Sequence, residues 1–266
     1  MVELRSLSPS RANDFMQCPL LYRFRVVDKL PEPPSLAALK GSLVHAVLED
    51  LFELPAAERT PSAAHSMLPV AWSNLLAKDP TVEELFSGPD ERAAWLESAA
   101  SLVGDYFTLE FPGGVQTEDR ELFVETRLDN GVTLRGFIDR VDVAPTGETR
   151  IVDYKTGKAP PPAFGAKADF QMKFYALVVY RLRGVLPHTL QLMYLGSRDV
   201  VRYRPRIEDM HVTEGKIEAL WDEIRAAARS GNWRPQKSKL CNWCHHRPIC
   251  PAWGGTPPDP PDVTVI

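Results

Sequence analysis

The sequence is short of the features that would place it outside the aqueous interior of a cell. None of its 266 residues belong to an apolar run approaching the ~18 that a membrane helix needs, so no membrane partner is expected. The first ten residues, MVELRSLSPS, contain no apolar stretch of the kind that directs secretion, and the expected location is cytoplasmic. Basic charge is not in excess: the net charge is -4 and the pI is about 5.9. Any contact with nucleic acid must then rest on local patches. There are four cysteines, too few in a chain of this length for a disulfide scaffold. There is no G-x-x-x-x-G-K-[ST] phosphate loop, which excludes that type of nucleotide-driven motor, and no internal repeat.

What is present is ordinary for a soluble globular protein, with 44% hydrophobic and 25% charged residues and enough length for a sizeable core. The informative stretch is residues 132–158. Val132 to Val143 is rich in β-branched and aromatic residues, Pro145-Thr146-Gly147 supplies a turn, and Arg150 to Lys155 is a second strand. Alternation places Phe137, Asp139, Val141 and Val143 on one face, with Ile138, Arg140 and Asp142 on the other. In the second strand it groups Asp153 with Lys155 and Tyr154 with Val152. A hairpin thus brings two carboxylates and a lysine together beside apolar neighbours. Buried charges are costly unless paired or metal-bound. A divalent cation on Asp139 and Asp153 would explain them, leaving Lys155 to act on an anionic substrate. The competing reading is a surface hairpin with an exposed Asp-x-Lys ion pair of little worth.

Other segments are read from pattern. Ser8-Pro9 starts a helix that Pro19 disturbs after Cys18. Leu36 to Leu54 forms an amphipathic helix, with His45 beside its apolar stripe. Residues 62–108 form two or three helices over the core, interrupted at Pro80 and Pro89. Glu121 to Leu128 is a strand on which Glu121 and Glu125 share a face, either an extra acidic ligand or, more simply, a solvated surface. Pro160 to Pro162 marks a loop, and Ala166 to Leu182 a helix carrying Gln171 and Tyr175 on one face. Leu190 to Leu195 and Val200 to Tyr203 pair as strands. Arg198, Arg202, Arg204 and Arg206 gather at the end of that pair as candidates for phosphate contacts. Met210 to Arg229 is a further helix, ended by Gly231. Residues 253–266 are expected to be a flexible tail.

Cys241-x₂-Cys244-x₅-Cys250, together with Cys18, offers four thiolates for one metal site. Spacing alone fits either Cys₄ zinc or a [4Fe–4S] cluster, with zinc the commoner structural ion and His245 and His246 as competing ligands.

GFIDRVD followed by IVDYKTGK resembles the paired nuclease motifs of the RecB-like branch of the PD-(D/E)XK superfamily, and three further features occur in the order of that family. The resemblance implies Asp139 and Asp153 as metal ligands for Mg²⁺ or Mn²⁺, with the Tyr154 carbonyl as a further one, and Lys155 as the catalytic lysine. Gly41-x-x-x-His45 resembles the motif preceding the nuclease core and implies that His45 is a metal ligand too. Gln171-x-x-x-Tyr175 resembles a motif that implies contacts to the DNA strand. The cysteine pattern is similar to the iron–sulfur clasp of AddB-type subunits and CRISPR-adaptation nucleases, which implies a [4Fe–4S] cluster, with zinc as the alternative. Such a clasp closes a loop of over 200 residues and would stabilise by about 5 kcal/mol on the disulfide analogy.

The expectation is an α/β restriction-endonuclease-like domain over residues 1–252. It has a mixed sheet of four or five strands flanked by helices, a helical N-terminal lobe, and a clasp joining the N- and C-terminal segments. The expected function is that of a metal-dependent DNA exonuclease acting on ends or single strands in repair or recombination. A helicase or repair protein is the expected partner. The alternatives are a weakly catalytic DNA-end-binding partner of such a complex, and a redox sensor that uses the fold as scaffold.

Overall fold

In the computed structural model, described here for residues 2–161 and 165–265, six strands form one mixed sheet among the described residues. Pro162, expected in a loop, lies outside the described residues, as does Ile266. The strands are β1 (Val2–Leu4), β2 (Ser6–Leu7), β3 (Thr117–Arg127), β4 (Thr133–Val143), β5 (Thr149–Lys155), β6 (Thr189–Tyr194), β7 (Asp199–Tyr203) and β8 (Val263–Val265). The helices are α1 (Pro9–Gln17), α2 (Pro19–Tyr22, running on through a π turn to Val27), α3 (Leu36–Glu53), α4 (Pro61–Lys78), α5 (Pro89–Leu109), α6 (Ala166–Arg183) and α7 (Ile207–Ser230). None of them is long and apolar enough to cross a membrane.

Local chemistry sets the boundaries. Ser8 and Ser35 accept hydrogen bonds from Arg11 N and Ala38 N and so cap α1 and α3. Gly184 and Gly231 end α6 and α7 in the left-handed region, where a side chain would be strained. β3 begins four residues upstream of the expected Glu121, because Thr117, Asp119 and Arg120 pair with Asp142, Val141 and Arg140 of β4.

Strand β4 organises the sheet. One of its edges pairs with β3 from Thr133 to Asp142. The other edge is divided: β2 runs parallel to Thr133–Leu134, and β5 runs antiparallel to Arg140–Val143. Residues 135–139 therefore meet no strand on that side among the described residues. β5 continues to β6 in parallel and β6 to β7 antiparallel.

Two cores flank the sheet. One lies under α6 and α7 and includes Leu134, Ile138, Val141, Ile151, Phe174 and Trp221. The second lies under α3, α4 and α5 and includes Leu48, Leu51, Phe52, Tyr106, Val152, Tyr154 and Met193. The residues expected to be a flexible tail instead return to the N-terminus. β8 pairs in parallel with β1, and Val2 N donates to Asp262 O at 2.8 Å. Alternating Val-Thr-Val supplies a short strand that the proline content had masked.

A buried ionic network ties the second core to the sheet. Arg140, 1% exposed, donates to Glu110 Oε2 (2.7 Å), Asp142 Oδ2 (3.0 Å) and the Tyr154 hydroxyl (2.5 Å), and its guanidinium lies 4.3 Å from the Phe52 ring centroid. Arg150 donates to Glu110 Oε1 (2.7 Å), Asp142 Oδ2 (2.9 Å) and Gln191 Oε1 (3.2 Å). Burial pushes the Glu110 carboxyl up, but Arg140 and Arg150 outweigh it and hold that carboxyl below its usual range. Removing one partner from such a set strands the others. Arg140→Met is expected to cost about 3–5 kcal/mol, read as a fall in the urea midpoint with an unchanged slope.

Candidate active site

The gap in the β4 edge is where the polar residues collect. At Asp139 the backbone ladder gives way to a side chain: Tyr154 N donates to Asp139 Oδ2 at 2.7 Å. The other groups of Tyr154 are also engaged. Its carbonyl lies 3.1 Å from His45 Nε2, and its hydroxyl takes the hydrogen bond from Arg140. His45, on the inner side of α3, turns its other nitrogen to acid. Nδ1 is 3.5 Å from Asp139 Oδ2 and 3.9 Å from Glu121 Oε1. Ligand atoms of His45, Glu121 and Asp139 all lie within 4.8 Å of one another.

Beside this trio, Asp153 is 2% exposed. Gln171 Nε2 donates to Asp153 Oδ1 at 2.7 Å, and Lys155 Nζ donates to Gln171 Oε1 at 2.9 Å. Lys155 Nζ also lies 2.7 Å from Asp153 Oδ2 and forms an ion pair with it. Gln171 thereby fixes both the carboxylate and the ammonium from α6. Tyr175, one turn further on, packs against the backbone of Gly136. A Cβ there would stand 2.8 Å from Tyr175 Cε1, so this position requires glycine.

The electrostatics are those of a site short of positive charge. Burial, then Asp153, pushes the Asp139 carboxyl well above the usual carboxylate range. Burial, with Glu49 and Asp153, pushes Glu121 up as well. Burial lowers His45 below the ordinary histidine value, favouring the neutral imidazole that metals bind. Carboxylates that repel each other and a neutral imidazole, with the ligand atoms of His45, Glu121 and Asp139 close together, form a donor set suited to a hard or borderline divalent cation.

The structure brings together Asp139, Asp153, Tyr154, Lys155, His45, Gln171 and Tyr175. It adds Glu121 as a full member of the cluster, a residue the sequence left more simply read as a solvated face. The register explains why: Arg120 pairs with Arg140 and Leu122 with Ile138, so Glu121 stands opposite Asp139. Its φ is +41°, a costly conformation for a non-glycine residue and of a kind that gathers at functional sites. A Cβ at Gly41 would make an ordinary 3.8 Å contact with Thr156 Oγ1, so space alone does not require glycine at this position of the Gly41-x-x-x-His45 motif.

Arg202 and Arg204 are not brought to the cluster. β6–β7 pairing puts Arg202 opposite Gln191, whose Oε1 it contacts at 2.8 Å, whereas the Lys155 end of the sheet is aligned with Tyr194 and Asp199. Arg204 follows beyond the far end of the β6–β7 ladder.

The four cysteines come together where the end of α1 meets the C-terminal turns. Cys18 closes α1, and Cys241, Cys244 and Cys250 lie on a series of tight turns. All four line one cavity. Gln236 N and Ser238 N donate to Cys18 Sγ (3.3 Å) and Cys241 Sγ (3.4 Å). Among the described residues, no three of these sulphurs lie mutually within 4.8 Å. His246 Nε2 is 2.8 Å from Glu32 Oε1 and so is engaged elsewhere.

Comparison with known proteins follows this geometry. A model of the PD-(D/E)XK nuclease superfamily matches residues 6–251. The chain is 28% identical to the Gene 69 protein of Mycobacterium phage D29, over 93% of this chain and 98% of that one. It is 25% identical to the Gene 69 protein of Mycobacterium phage L5, over 95% and 100%. Among solved structures it resembles a protein from Eubacterium rectale described as "Putative exonuclease". The TM-score is 0.60 at 14% identity, covering 92% of this chain and 89% of that one. The likeness is one of fold, a central mixed sheet flanked by helices as in restriction endonucleases.

A raised carboxylate pKa makes the metal-free fold lose stability as pH rises through that value, since the folded state holds the proton more tightly than the unfolded chain. Asp139→Asn is therefore expected to melt a few degrees above the wild type at pH 8 without metal, with the gap narrowing toward pH 5. Saturating Mn²⁺ should reverse the order, which differential scanning calorimetry would read.

Proposed function

The chain belongs to the PD-(D/E)XK nuclease superfamily, and from that premise we propose that it is a metal-dependent deoxyribonuclease. On this reading it hydrolyses phosphodiester bonds as an exonuclease at DNA ends or in single strands, in repair or recombination. The observation that carries the proposal is the Asp153–Gln171–Lys155 set of contacts beside His45, Glu121 and Asp139. One half of it is built to hold a cation and the other to present an ammonium to an anion.

The donor set fits Mg²⁺ or Mn²⁺, with Asp139, Asp153, Glu121 and His45 as the side chains that would hold it and the Tyr154 carbonyl as a further oxygen. A divalent cation supplies Lewis-acid stabilisation of a phosphoryl group and acidifies water. The chain's own residues do the rest. Lys155, held in place by Gln171 and Asp153, donates to the non-bridging phosphate oxygens and offsets the charge that grows on them. Gln171 keeps that ammonium directed, and Tyr175, wedged on Gly136, keeps α6 at the distance Gln171 needs. Neutral His45 fixes the Tyr154 peptide group. Arg140 holds the same residue from behind through its hydroxyl.

Lys155→Ala is expected to lower kcat on end-labelled DNA in Mn²⁺ by about 10²–10³-fold. Metal affinity should be retained, as measured by titration calorimetry. Full activity of the purified, metal-loaded variant would refute the assignment.

The thiol site supports a structural [4Fe–4S] cluster, with zinc as the alternative occupant. Tetrahedral zinc–thiolate bonds of about 2.3 Å would draw the sulphurs to about 3.8 Å from one another. All four thiols line one cavity, and peptide N–H groups already donate to two of them. Anaerobic purification is expected to yield a brown protein with about four irons per chain. A colourless protein with stoichiometric zinc would leave the nuclease reading intact and remove the cluster. The sequence holds no phosphate-loop motor, so any unwinding is assigned to a helicase or repair partner.

A further inference from the structure

Two large aromatic side chains are exposed immediately beside the site. Phe123 on β3 and Phe137 on β4 are 50% and 55% exposed. They face each other across the strand pair with ring centroids 5.3 Å apart. Phe137 is two residues from Asp139 on the same strand, about 7 Å along it. Large apolar side chains that share an outward patch mark a contact surface more often than chance exposure does.

The pair forms one wall of a cleft of about 580 Å³ that also contains Gln171 and Tyr175, and so opens directly onto the residues that fix Lys155 and Asp153. The other walls carry cations and an unsatisfied acceptor. Arg135 is exposed one residue before Gly136. Arg11 reaches Ser6 Oγ at 3.4 Å, a long bond that leaves its guanidinium available. Asn13 Oδ1 is buried without a hydrogen-bond partner. Glu125, opposite Arg135 in the register, is the countervailing charge.

We infer that the strand led into this site is unpaired and stacks a base on the Phe123–Phe137 pair, with Arg11 and Arg135 on the flanking phosphates. The catalytic end of this inference rests on the nuclease reading above. The binding surface stands on its own observations. An aromatic platform takes any base by its π-face, and base faces are available in a single strand but covered by neighbours in a duplex. Arginine beside such a platform supplies sequence-independent phosphate contact. The cleft has the volume of pockets that enclose small organic groups, which suits one nucleotide rather than a duplex. The arrangement also gives an acidic protein a local means of holding DNA: stacking does not depend on net charge.

The test is fluorescence anisotropy in Ca²⁺ with labelled oligo(dT), an abasic strand of equal length and a matched duplex. The wild type is expected to bind oligo(dT) more tightly than either of the others. Phe123→Ala combined with Phe137→Ala should weaken oligo(dT) binding about tenfold or more, leave abasic binding unchanged, and melt as the wild type does by circular dichroism. The corresponding double Trp variant should restore affinity. Equal binding of oligo(dT) and abasic strand by the wild type would overturn the inference without recourse to any variant. So would a duplex preference, or an oligo(dT) affinity indifferent to loss of both rings. Phe-dependent binding in a protein that cuts nothing in Mn²⁺ would leave this inference standing and remove the nuclease reading.

Discussion

The hydrogen bond from the Tyr154 peptide N–H to the Asp139 carboxylate is the contact on which the site depends. An uninterrupted ladder would have spent that N–H on a strand carbonyl and closed the gap beside Gly136. Because a side chain takes it instead, β4 and β5 part, and a cleft opens in the middle of an otherwise continuous sheet. The same residue carries the arrangement further. Its carbonyl meets His45 from α3, and its hydroxyl meets Arg140, so three polar groups of one tyrosine join the helical lobe, the sheet and the site.

Opening the sheet has an electrostatic consequence. Asp139, Asp153 and Glu121 are gathered in a partly dry space in which the nearest ammonium, Lys155, is shared with Gln171. Desolvation and like-charge repulsion favour protons on Asp139 and Glu121, and a cation would exchange for those protons. The strain is local because the surrounding structure is well satisfied. On the far side of β4 and β5, Glu110 and Asp142 are each matched by Arg140 and Arg150, and the network is packed under Phe52 and Tyr106. A site with unbalanced charge thus sits against a layer in which charge is balanced. The region of unbalanced charge is held in place by the hydrogen-bonded, close-packed layer behind it.

The ends of the chain are fastened independently of the site. β8 returns to pair with β1, and the turns bearing Cys241, Cys244 and Cys250 come to the end of α1 at Cys18. Both closures join segments more than 200 residues apart, so the contacts of each must offset the loop-closure entropy of bringing the chain ends together.

Much of this was legible in the sequence because it follows from short-range rules. Alternation in GFIDRVD and IVDYK, the turn at Pro145–Gly147, helical spacing around His45 and Gln171, and the cysteine spacing gave the hairpin, the helices and most of the cluster. The resemblance to a nuclease family named the roles that those patterns left open. Three features needed the tertiary structure, each for the same reason: strand register and chain return are long-range choices that no local pattern encodes. Glu121 became a site residue only when β3 and β4 aligned it with Asp139. Arg202 and Arg204 were drawn off when β7 aligned Arg202 with Gln191 and left Arg204 beyond the ladder. The proline-rich tail became a strand only because the first residues offered it an open edge. The sequence by itself determined which residues could do chemistry, since that is fixed by side-chain type and spacing. The tertiary structure decided which of them share one cleft, because that depends on how strands distant in sequence pair and where one of those pairings stops.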